Sequence, residues 1–374
     1  MDSMLGNIDS AVAQILAKAL EGGEITVPEA VTLFRAGDRE LMVLAIVADA
    51  IRASIVGSEV TYVHNRNINF TNICEGNCAF CAFHRSPHAP EGGYTLSLNE
   101  IVDKAVEAAE KGATEVCIQG GLNPNLDPRL YVLMCEAIKR ELPDMHIHAF
   151  SPMEILFAAR QLTCTVEDLL RDLKSAGLDS MPGTAAEILD DQVRSIICPD
   201  KLDATKWMEV VSTAHRMAIP TTSTMLYGHI ESPEHRARHI DRIRHMQKEH
   251  GRFTEFIPLR FLYRNTALYR QKRCGVSTSG MDDIKVHAIS RLMLNGYIDN
   301  IQVSWVKLGL PLAQVCLCAG ANDVGGTLME EHISSSAGCP APSSLTVREL
   351  QDLINACDRT PRQRTTTYGM VGTN

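Results

Sequence analysis

The residues best suited to chemistry are three cysteines, Cys74, Cys78 and Cys81, with the spacing C-x₃-C-x₂-C. Ordinary ferredoxin sites bind an iron–sulfur cluster through four thiolates, and here no fourth cysteine follows at a ferredoxin-like spacing. Three thiolates would hold a [4Fe–4S] cluster and leave one iron open to another ligand. The alternative is a structural zinc site, which needs four tetrahedral ligands and for which His84 could supply the fourth. The spacing favours the cluster.

A second candidate segment, Gln119, Gly120 and Gly121, follows the next predicted strand. Glycine has no side chain and therefore lets the backbone come close to a ligand. The same three residues also suit a simple strand-to-loop turn. We interpret them as cofactor-binding residues.

Ser151 and Glu154 form a third candidate, directly after the following strand. A serine with a glutamate three residues later, and Pro152 between them, is typical of a capping box at a helix N-terminus. Their oxygens could equally bind a cofactor. Both interpretations stay open at this point.

Further polar residues lie near the ends of predicted strands and suit either a polar substrate or a structural pair. Phe80, within the cysteine motif, is expected near the cluster or in the core. His146 and His148 alternate along one strand and therefore share a face. The remaining candidates are Asp179, Glu187, Arg194, His229, Glu231, Asn322, Asp323, Glu330 and Glu331.

The elements that position these residues alternate between strand and helix, which is typical of parallel β/α units. We predict strands at 65–73, 114–120, 146–151, 178–182, 220–228, 254–261, 300–305 and 318–323, with helices at 97–113, 165–177, 232–251 and 281–296. Eight such units predict an α/β fold of the (β/α)₈ TIM-type barrel class, whose chemistry lies at the carboxyl ends of the strands. Residues 1–60 are expected to form an N-terminal helical extension, and residues 61–374 the barrel with a C-terminal tail.

The composition limits the possible partners and compartments. A net charge of −9 argues against nucleic-acid binding and against attraction to anionic membranes. No apolar run is long enough for a membrane span, and the first residues lack the pattern of a secretory signal. Several of the twelve cysteines, such as Cys117 and Cys135, sit in apolar surroundings and suit reduced core thiols. We therefore expect a cytoplasmic protein.

The cysteine motif, with an aromatic residue before its third cysteine, resembles the signature of the radical S-adenosylmethionine (SAM) superfamily. Within it, the chain resembles the tyrosine-splitting subunits of FO synthase from about residue 60 to residue 369. The segments that carry this resemblance are NRNINFTNIC (65–74), TEVCIQGGLNP (114–124), HIHAFSPMEI (146–155), AGLDSMPGTAAEILDDQVRSIICP (176–199), IPTTSTMLYGHIES (219–232), FTEFIPL (253–259) and AGANDVGGTLMEEHIS (319–334).

The resemblance implies a radical SAM barrel that uses a [4Fe–4S] cluster and SAM. Cys74, Cys78 and Cys81 would be the cluster ligands, and the Gln119–Gly121 segment would approach SAM. The implied reaction breaks the Cα–Cβ bond of L-tyrosine and adds the 4-hydroxybenzyl group to 5-amino-6-(D-ribitylamino)uracil. A second radical SAM subunit would then close the ring to FO, the deazaflavin of coenzyme F-420. The alternative within the superfamily is an aminofutalosine synthase or a dehypoxanthine futalosine cyclase of menaquinone biosynthesis.

Overall fold

Short parallel strands form the inner layer of the protein. The computed structural model describes residues 2–275, 278–340 and 342–372. Its strands are β1 Glu59–Val63, β2 Asn65–Asn69, β3 Glu115–Gln119, β4 His146–Ala149, β5 Thr221–Tyr227, β6 Phe253–Arg260, β7 Asp323–Gly326 and β8 Thr360–Gln363.

The strands close into a ring. β2 pairs with β3, and β3 with β4, all in parallel. Ser180 and Met181 bridge β4 to β5, which pairs with β6. Ile301 and Gln302 then bridge β6 to β7, and β7 pairs with β1, which continues into β2. Counting β1–β2 as one strand and the two bridged segments as strands, the predicted (β/α)₈ barrel is confirmed.

Several of the predicted strands differ from the structure in extent. The segments predicted at 178–182 and 300–305 are reduced to isolated bridges, and a helix begins at Trp305. The strand predicted at 318–323 is shifted, because a helix runs to Leu317 and Gly320, with φ +103°, turns the chain before Asp323. The first barrel strand begins at Glu59, just inside the segment expected to be helical.

Helices form the outer layer, and several begin where the sequence predicts. Capping boxes at Ser97, Thr165 and Ser232 begin three of the predicted helices, and Gly251 ends the third of these with φ +66°. The helices are α1 Asp2–Leu5, α2 Ser10–Leu20, α3 Val27–Arg35, α4 Asp38–Val56, α5 Leu98–Glu110, α6 Leu130–Glu141, α7 Pro152–Leu162, α8 Val166–Ser175, α9 Asp191–Ile197, α10 Ala204–Arg216, α11 Pro233–His250, α12 Ala267–Arg270, α13 Gly280–Leu294, α14 Trp305–Leu308, α15 Leu310–Leu317, α16 Ile333–Ser336 and α17 Val347–Asn355.

The N-terminal helices pack on the barrel. α4 contacts α13, and buried residues such as Leu44 and Ile289 belong to one apolar cluster. The division of the chain at residue 60 stays a prediction. Among the described helices, none combines the length and the hydrophobicity that crossing a bilayer requires.

The inner face of the barrel is unusually polar. In β2 the side chains of Asn65, Asn67 and Asn69 line the central cavity, whereas Ile68 lies in the apolar layer under the helices. β3 follows the same alternation, with Glu115, Cys117 and Gln119 inside and Val116 and Ile118 outside. TIM-type barrels are usually filled by branched apolar side chains. A polar lumen indicates space for polar ligands.

The C-terminal segment closes the floor of this lumen. β8 pairs in parallel with β1 and delivers Arg364 into the barrel. The Arg364 Nε lies 2.5 Å from Asp323 Oδ2, and Tyr368 Oη donates to Glu255 Oε2 at 2.7 Å. The C-terminal segment therefore packs against the barrel and contributes side chains to its lumen.

Candidate active site

The three cysteines of the motif line a single cavity of about 420 Å³ at the carboxyl ends of the strands. The loop that carries them is held by backbone hydrogen bonds at both ends. Cys74 N donates to Arg85 O at 2.9 Å, and Ala79 N donates to Ile197 O at 2.8 Å. Within the loop, Cys81 N donates to Cys78 O at 3.0 Å. Long-range contacts thus fix a loop that has no regular secondary structure of its own.

Cys78 is buried, and Cys74 and Cys81 are half-buried. Burial raises the pKa of the Cys74 thiol and raises that of Cys78 strongly, while the nearby Lys201 ammonium opposes both shifts. A metal centre bound through thiolates must displace these protons, and binding would therefore release protons to solvent.

Three thiol donors in one cavity wall fit a cluster with one open iron, whereas a structural zinc ion needs a fourth protein ligand. In the described parts of the chain, no group of three or more His, Cys, Asp or Glu side chains is placed to hold a single metal ion. Zinc would draw its ligands onto one tetrahedron. A cubane cluster binds each thiolate through a different iron, so the three sulfurs need not converge on one point. His84, the possible fourth zinc ligand, has its Nδ1 3.1 Å from Cys81 O.

Gly120 and Gly121 are required by close packing. A Cβ on Gly120 would lie 2.6 Å from the Phe70 ring, and one on Gly121 would lie 2.2 Å from Ile73 O. Gly121 N also donates to Thr71 O at 2.8 Å. The two glycines therefore allow the end of β3 to pack closely against the segment that leads into the cysteine loop. Both also line the cavity. Contact with SAM stays a prediction.

Ser151 and Glu154 form the capping box of α7, as one of the two interpretations predicted. Glu154 Oε2 accepts hydrogen bonds from Ser151 N at 2.8 Å and Ser151 Oγ at 2.6 Å, while Oε1 accepts one from Gly120 N at 2.9 Å. Burial raises the pKa of Glu154 to about 7 although these donors oppose the shift. Both residues also line the cavity, so the capping role leaves cofactor contact open.

Two lysines that the sequence does not single out line the upper cavity. Lys201 Nζ lies 2.6 Å from Glu187 Oε1 and 5.2 Å from the centroid of the Phe80 ring. Lys307 Nζ donates to Ser334 Oγ at 3.3 Å. Lys307 lies two residues after the strand predicted at 300–305, and its position near a predicted strand end was the available signal. Lys201 lies in a loop that carries no such signal.

The lower cavity is lined by buried carboxylates. Glu115 Oε1 accepts from Asn65 Nδ2 at 2.8 Å, and its Oε2 accepts from Thr366 Oγ1 at 2.6 Å. Glu255 Oε2 accepts from Gln302 Nε2 at 2.8 Å, and burial raises the Glu255 pKa to about 7, against the Arg364 charge. Hydrogen-bonded carboxylates and amides around the floor suit a ligand with several hydroxyl or amide groups.

Comparison with known proteins identifies the family. The radical SAM superfamily matches residues 68–243, and the CofH/MqnC C-terminal region matches residues 250–373. A protein of Methanothermobacter thermautotrophicus named 5-amino-6-(D-ribitylamino)uracil–L-tyrosine 4-hydroxyphenyl transferase is 51% identical over 362 residues, covering 97% of this chain and 98% of its own. The chain belongs to this family of radical SAM transferases. A relative of the same name from Methanococcoides burtonii is 51% identical over 351 residues, covering 93% and 96%.

Two solved structures resemble this radical SAM transferase in fold alone. Methylornithine synthase (PylB) has a TM-score of 0.73 at 18% identity, with 93% of this chain and 97% of that chain covered. The [FeFe]-hydrogenase maturase HydG has a TM-score of 0.76 at 16% identity, covering 98% and 78%. The predicted barrel fold is thus confirmed by both.

The structure separates the other polar candidates of this radical SAM chain into two groups. His148, Glu187 and Glu331 line the cavity together with Phe80. His148 Nδ1 lies 2.7 Å from Ser180 Oγ, and burial lowers the His148 pKa to about 4, so that the ring is neutral at pH 7.

The second group does not line the cavity and instead makes contacts that hold neighbouring elements together. Arg194, for example, donates from Nε to Leu202 O at 3.1 Å, and Glu231 pairs with Arg236 at 2.7 Å. Glu330 pairs with Arg66 at 2.9 Å on the outer side of β2. The members of this group are His146, Asp179, Arg194, His229, Glu231, Asn322, Asp323 and Glu330.

Proposed function

We propose that Cys74, Cys78 and Cys81 hold a [4Fe–4S] cluster and that SAM binds beside it at the mouth of the barrel. The proposed reaction breaks the Cα–Cβ bond of L-tyrosine and transfers the 4-hydroxybenzyl group to 5-amino-6-(D-ribitylamino)uracil, a step in the biosynthesis of the deazaflavin FO. One observation carries this proposal: the three thiols of the motif line one cavity in a chain about half identical to transferases of that name.

When bound, the cluster would supply an electron to the sulfonium of SAM and so generate the radical that starts the reaction. The protein's own part is to hold ligands and to exclude water. Glu154 fixes Gly120 beside the cysteine loop, and the Glu187–Lys201 pair forms part of the wall. A radical needs such enclosure, because water and stray hydrogen donors would quench it.

The size and polarity of the cavity support the assignment of these substrates. A volume of about 420 Å³ lies within the usual range for small-molecule sites. The floor offers amide and carboxyl groups from Asn67, Glu255 and Gln302, which match the hydroxyl and amide groups of a ribitylaminouracil. The upper wall has Leu259 and Phe261 for an aromatic ring.

We extend the proposal to the protein's surroundings. The product requires ring closure to become FO, and a second radical SAM subunit is the proposed partner for that step. A cytoplasmic location is proposed because the twelve cysteines are free thiols and the proposed cluster needs a reducing compartment.

The test is an anaerobic assay of the reconstituted enzyme. Dithionite, SAM, L-tyrosine and 5-amino-6-(D-ribitylamino)uracil are added, and products are followed by mass spectrometry. We expect 5′-deoxyadenosine, glyoxylate and a hydroxybenzyl–uracil adduct, with no adduct when either substrate is left out. Formation of 5′-deoxyadenosine without adduct would contradict the proposed substrates and direct the assay to futalosine-type substrates.

A further inference from the structure

The cations that line the cavity differ in how their charge is balanced. Among the described residues, the lysines and arginines of the cavity wall are Lys201, Lys307 and Arg364. Lys201 lies 2.6 Å from Glu187, and Arg364 lies 2.5 Å from Asp323. Lys307 has no described carboxylate within 4.0 Å of its Nζ, which donates a hydrogen bond to the Ser334 hydroxyl at 3.3 Å.

Lys307 is half-buried and faces the cavity, where an ammonium without a counter-ion is unfavourable. Burial lowers the pKa of Lys307, and the more distant charges of Glu331 and Glu187 and the Cys81 and Cys339 thiols oppose this shift only in part. Enclosed charges in proteins are normally paired, because desolvation of a single charge costs more than a hydroxyl can return. A ligand that brings an anionic group to Lys307 would restore this balance.

The chemistry of the three proposed ligands indicates which one supplies the anion. 5-Amino-6-(D-ribitylamino)uracil carries no carboxylate. SAM carries one, but the proposed cluster has an open iron that would take the amino and carboxylate groups of SAM. L-Tyrosine is the remaining ligand with a carboxylate. Glu331, also in the cavity wall and 6% exposed, offers an acceptor for its ammonium group.

We infer that Lys307 binds the carboxylate of the amino-acid substrate and so selects an α-amino acid over an amine. This inference rests on the proposed function, since it assigns tyrosine to the cavity. Lys307 and Ser334 would form one side of the carboxylate site, with Glu331 linked to it through the Ser334 N–H at 2.9 Å. Lys307 would thereby orient the Cα–Cβ bond that the reaction breaks.

The experiment pairs a change in the protein with a change in the substrate. Lys307→Gln, Lys307→Arg and wild type are compared with L-tyrosine and with L-tyrosinamide, whose head group has no negative charge. Because a charged hydrogen bond is lost, we expect Lys307→Gln to raise the KM for tyrosine by about 10- to 100-fold. The same variant should change the KM for tyrosinamide by less than about threefold, and Lys307→Arg should retain most of the affinity for tyrosine.

Controls separate this inference from the proposed function. Lys285→Gln removes a partly buried lysine that bonds to the Phe34 and Ala36 carbonyls outside the cavity, and it should leave both KM values unchanged. Tyrosine binding to the reconstituted holoenzyme is also measured by calorimetry, because this measurement does not depend on formation of the adduct. A wild type that binds tyrosine but makes no adduct would contradict the proposed function alone.

Two results would overturn the inference about Lys307. An equal loss for tyrosine and tyrosinamide in Lys307→Gln would show that the lysine does not recognise the carboxylate. A raised KM for SAM with unchanged tyrosine binding would show that it serves the carboxylate of SAM instead. Thermal unfolding of each variant verifies that it is folded. If Lys307→Gln does not fold, the comparison of Lys307→Arg with wild type on the two substrates still decides the test.

Discussion

Glu154 and Gly120 are joined by a hydrogen bond of 2.9 Å, in which the buried carboxylate accepts the backbone N–H at the end of β3. The same carboxylate accepts two hydrogen bonds from Ser151 at the start of α7. One side chain therefore connects two consecutive barrel units directly below the cysteine loop. A capping box that also holds the neighbouring strand explains why Glu154 is buried.

Glu154→Ala is expected to lower the free energy of unfolding by at least about 2 kcal/mol, because it leaves two backbone N–H groups without an acceptor in a buried place. Urea denaturation measures this loss. The matched control is Glu100→Ala, which removes the same capping-box contact from α5 where the glutamate is exposed. Equal losses in the two variants would show that the bond to Gly120 contributes nothing.

Replacing Cys74, Cys78 or Cys81 by alanine is expected to abolish SAM cleavage while the fold is retained, because each thiolate would bind a different iron. Iron content, absorbance near 400 nm and 5′-deoxyadenosine formation are measured after anaerobic reconstitution. Cys135→Ala is the control, since that thiol is buried outside the cavity. Substantial SAM cleavage by any of the three variants would contradict the cluster assignment.

Gly121→Ala is expected to destabilise the protein and to reduce iron incorporation together. Its Cβ would lie 2.2 Å from Ile73 O, so the backbone leading into Cys74 must move. We expect a loss above about 2 kcal/mol in the free energy of unfolding, as is usual when the backbone is displaced in a buried place. Gly280→Ala is the control, because its nearest neighbour is a leucine methyl at 3.7 Å. Normal stability and iron content in Gly121→Ala would refute this interpretation.

Arg364→Met is expected to lower the free energy of unfolding by about 3 to 5 kcal/mol, because Asp323 and Glu255 would lose their buried counter-ion. Arg362→Met is the matched control, two residues earlier in the chain. Its ion pair with Glu59 is exposed, and exposed pairs are worth below about 1 kcal/mol. A similar small loss in both variants would show that the floor of the barrel does not depend on Arg364.

Acid should destabilise the protein through its buried histidines. Burial lowers the pKa of His148 to about 4 and that of His239 to about 3, against an ordinary value of 6.5. The unfolded chain therefore binds more protons than the folded one between these values, and stability is lost as pH falls below about 6.5. At pH 7 and above this contribution is fully present.

His239→Gln tests the source of that pH dependence. His239 Nδ1 accepts from Leu189 N at 3.0 Å, and Nε2 lies 3.0 Å from Thr224 O, so the folded state requires a neutral ring. Glutamine offers an acceptor and a donor without titrating. Urea denaturation from pH 7.5 to pH 5 should show a slope smaller by up to about 1.4 kcal/mol per pH unit than in wild type. An unchanged slope would exclude His239 as a source.

Local sequence was sufficient to predict much of the fold and the cysteine motif of the candidate site. The spacing of Cys74, Cys78 and Cys81 is a property of one loop, and the capping boxes at Ser97, Thr165 and Ser151 need only residues three apart. The alternation of strands and helices predicted the barrel, because each unit shows its own hydrophobic period. These features are local, so neighbouring residues determine them.

Tertiary structure decided the rest, because the contacts involved join distant parts of the chain. Arg364 meets Asp323 and Glu255 only after the barrel closes, and no local period indicates that a C-terminal arginine enters the lumen. Lys307 becomes a cation without a counter-ion only because the carboxylates around it bind other partners. Strand register determines which polar side chains face the cavity. The ion pairs and hydrogen bonds of the folded chain determine which of those side chains are left for a ligand.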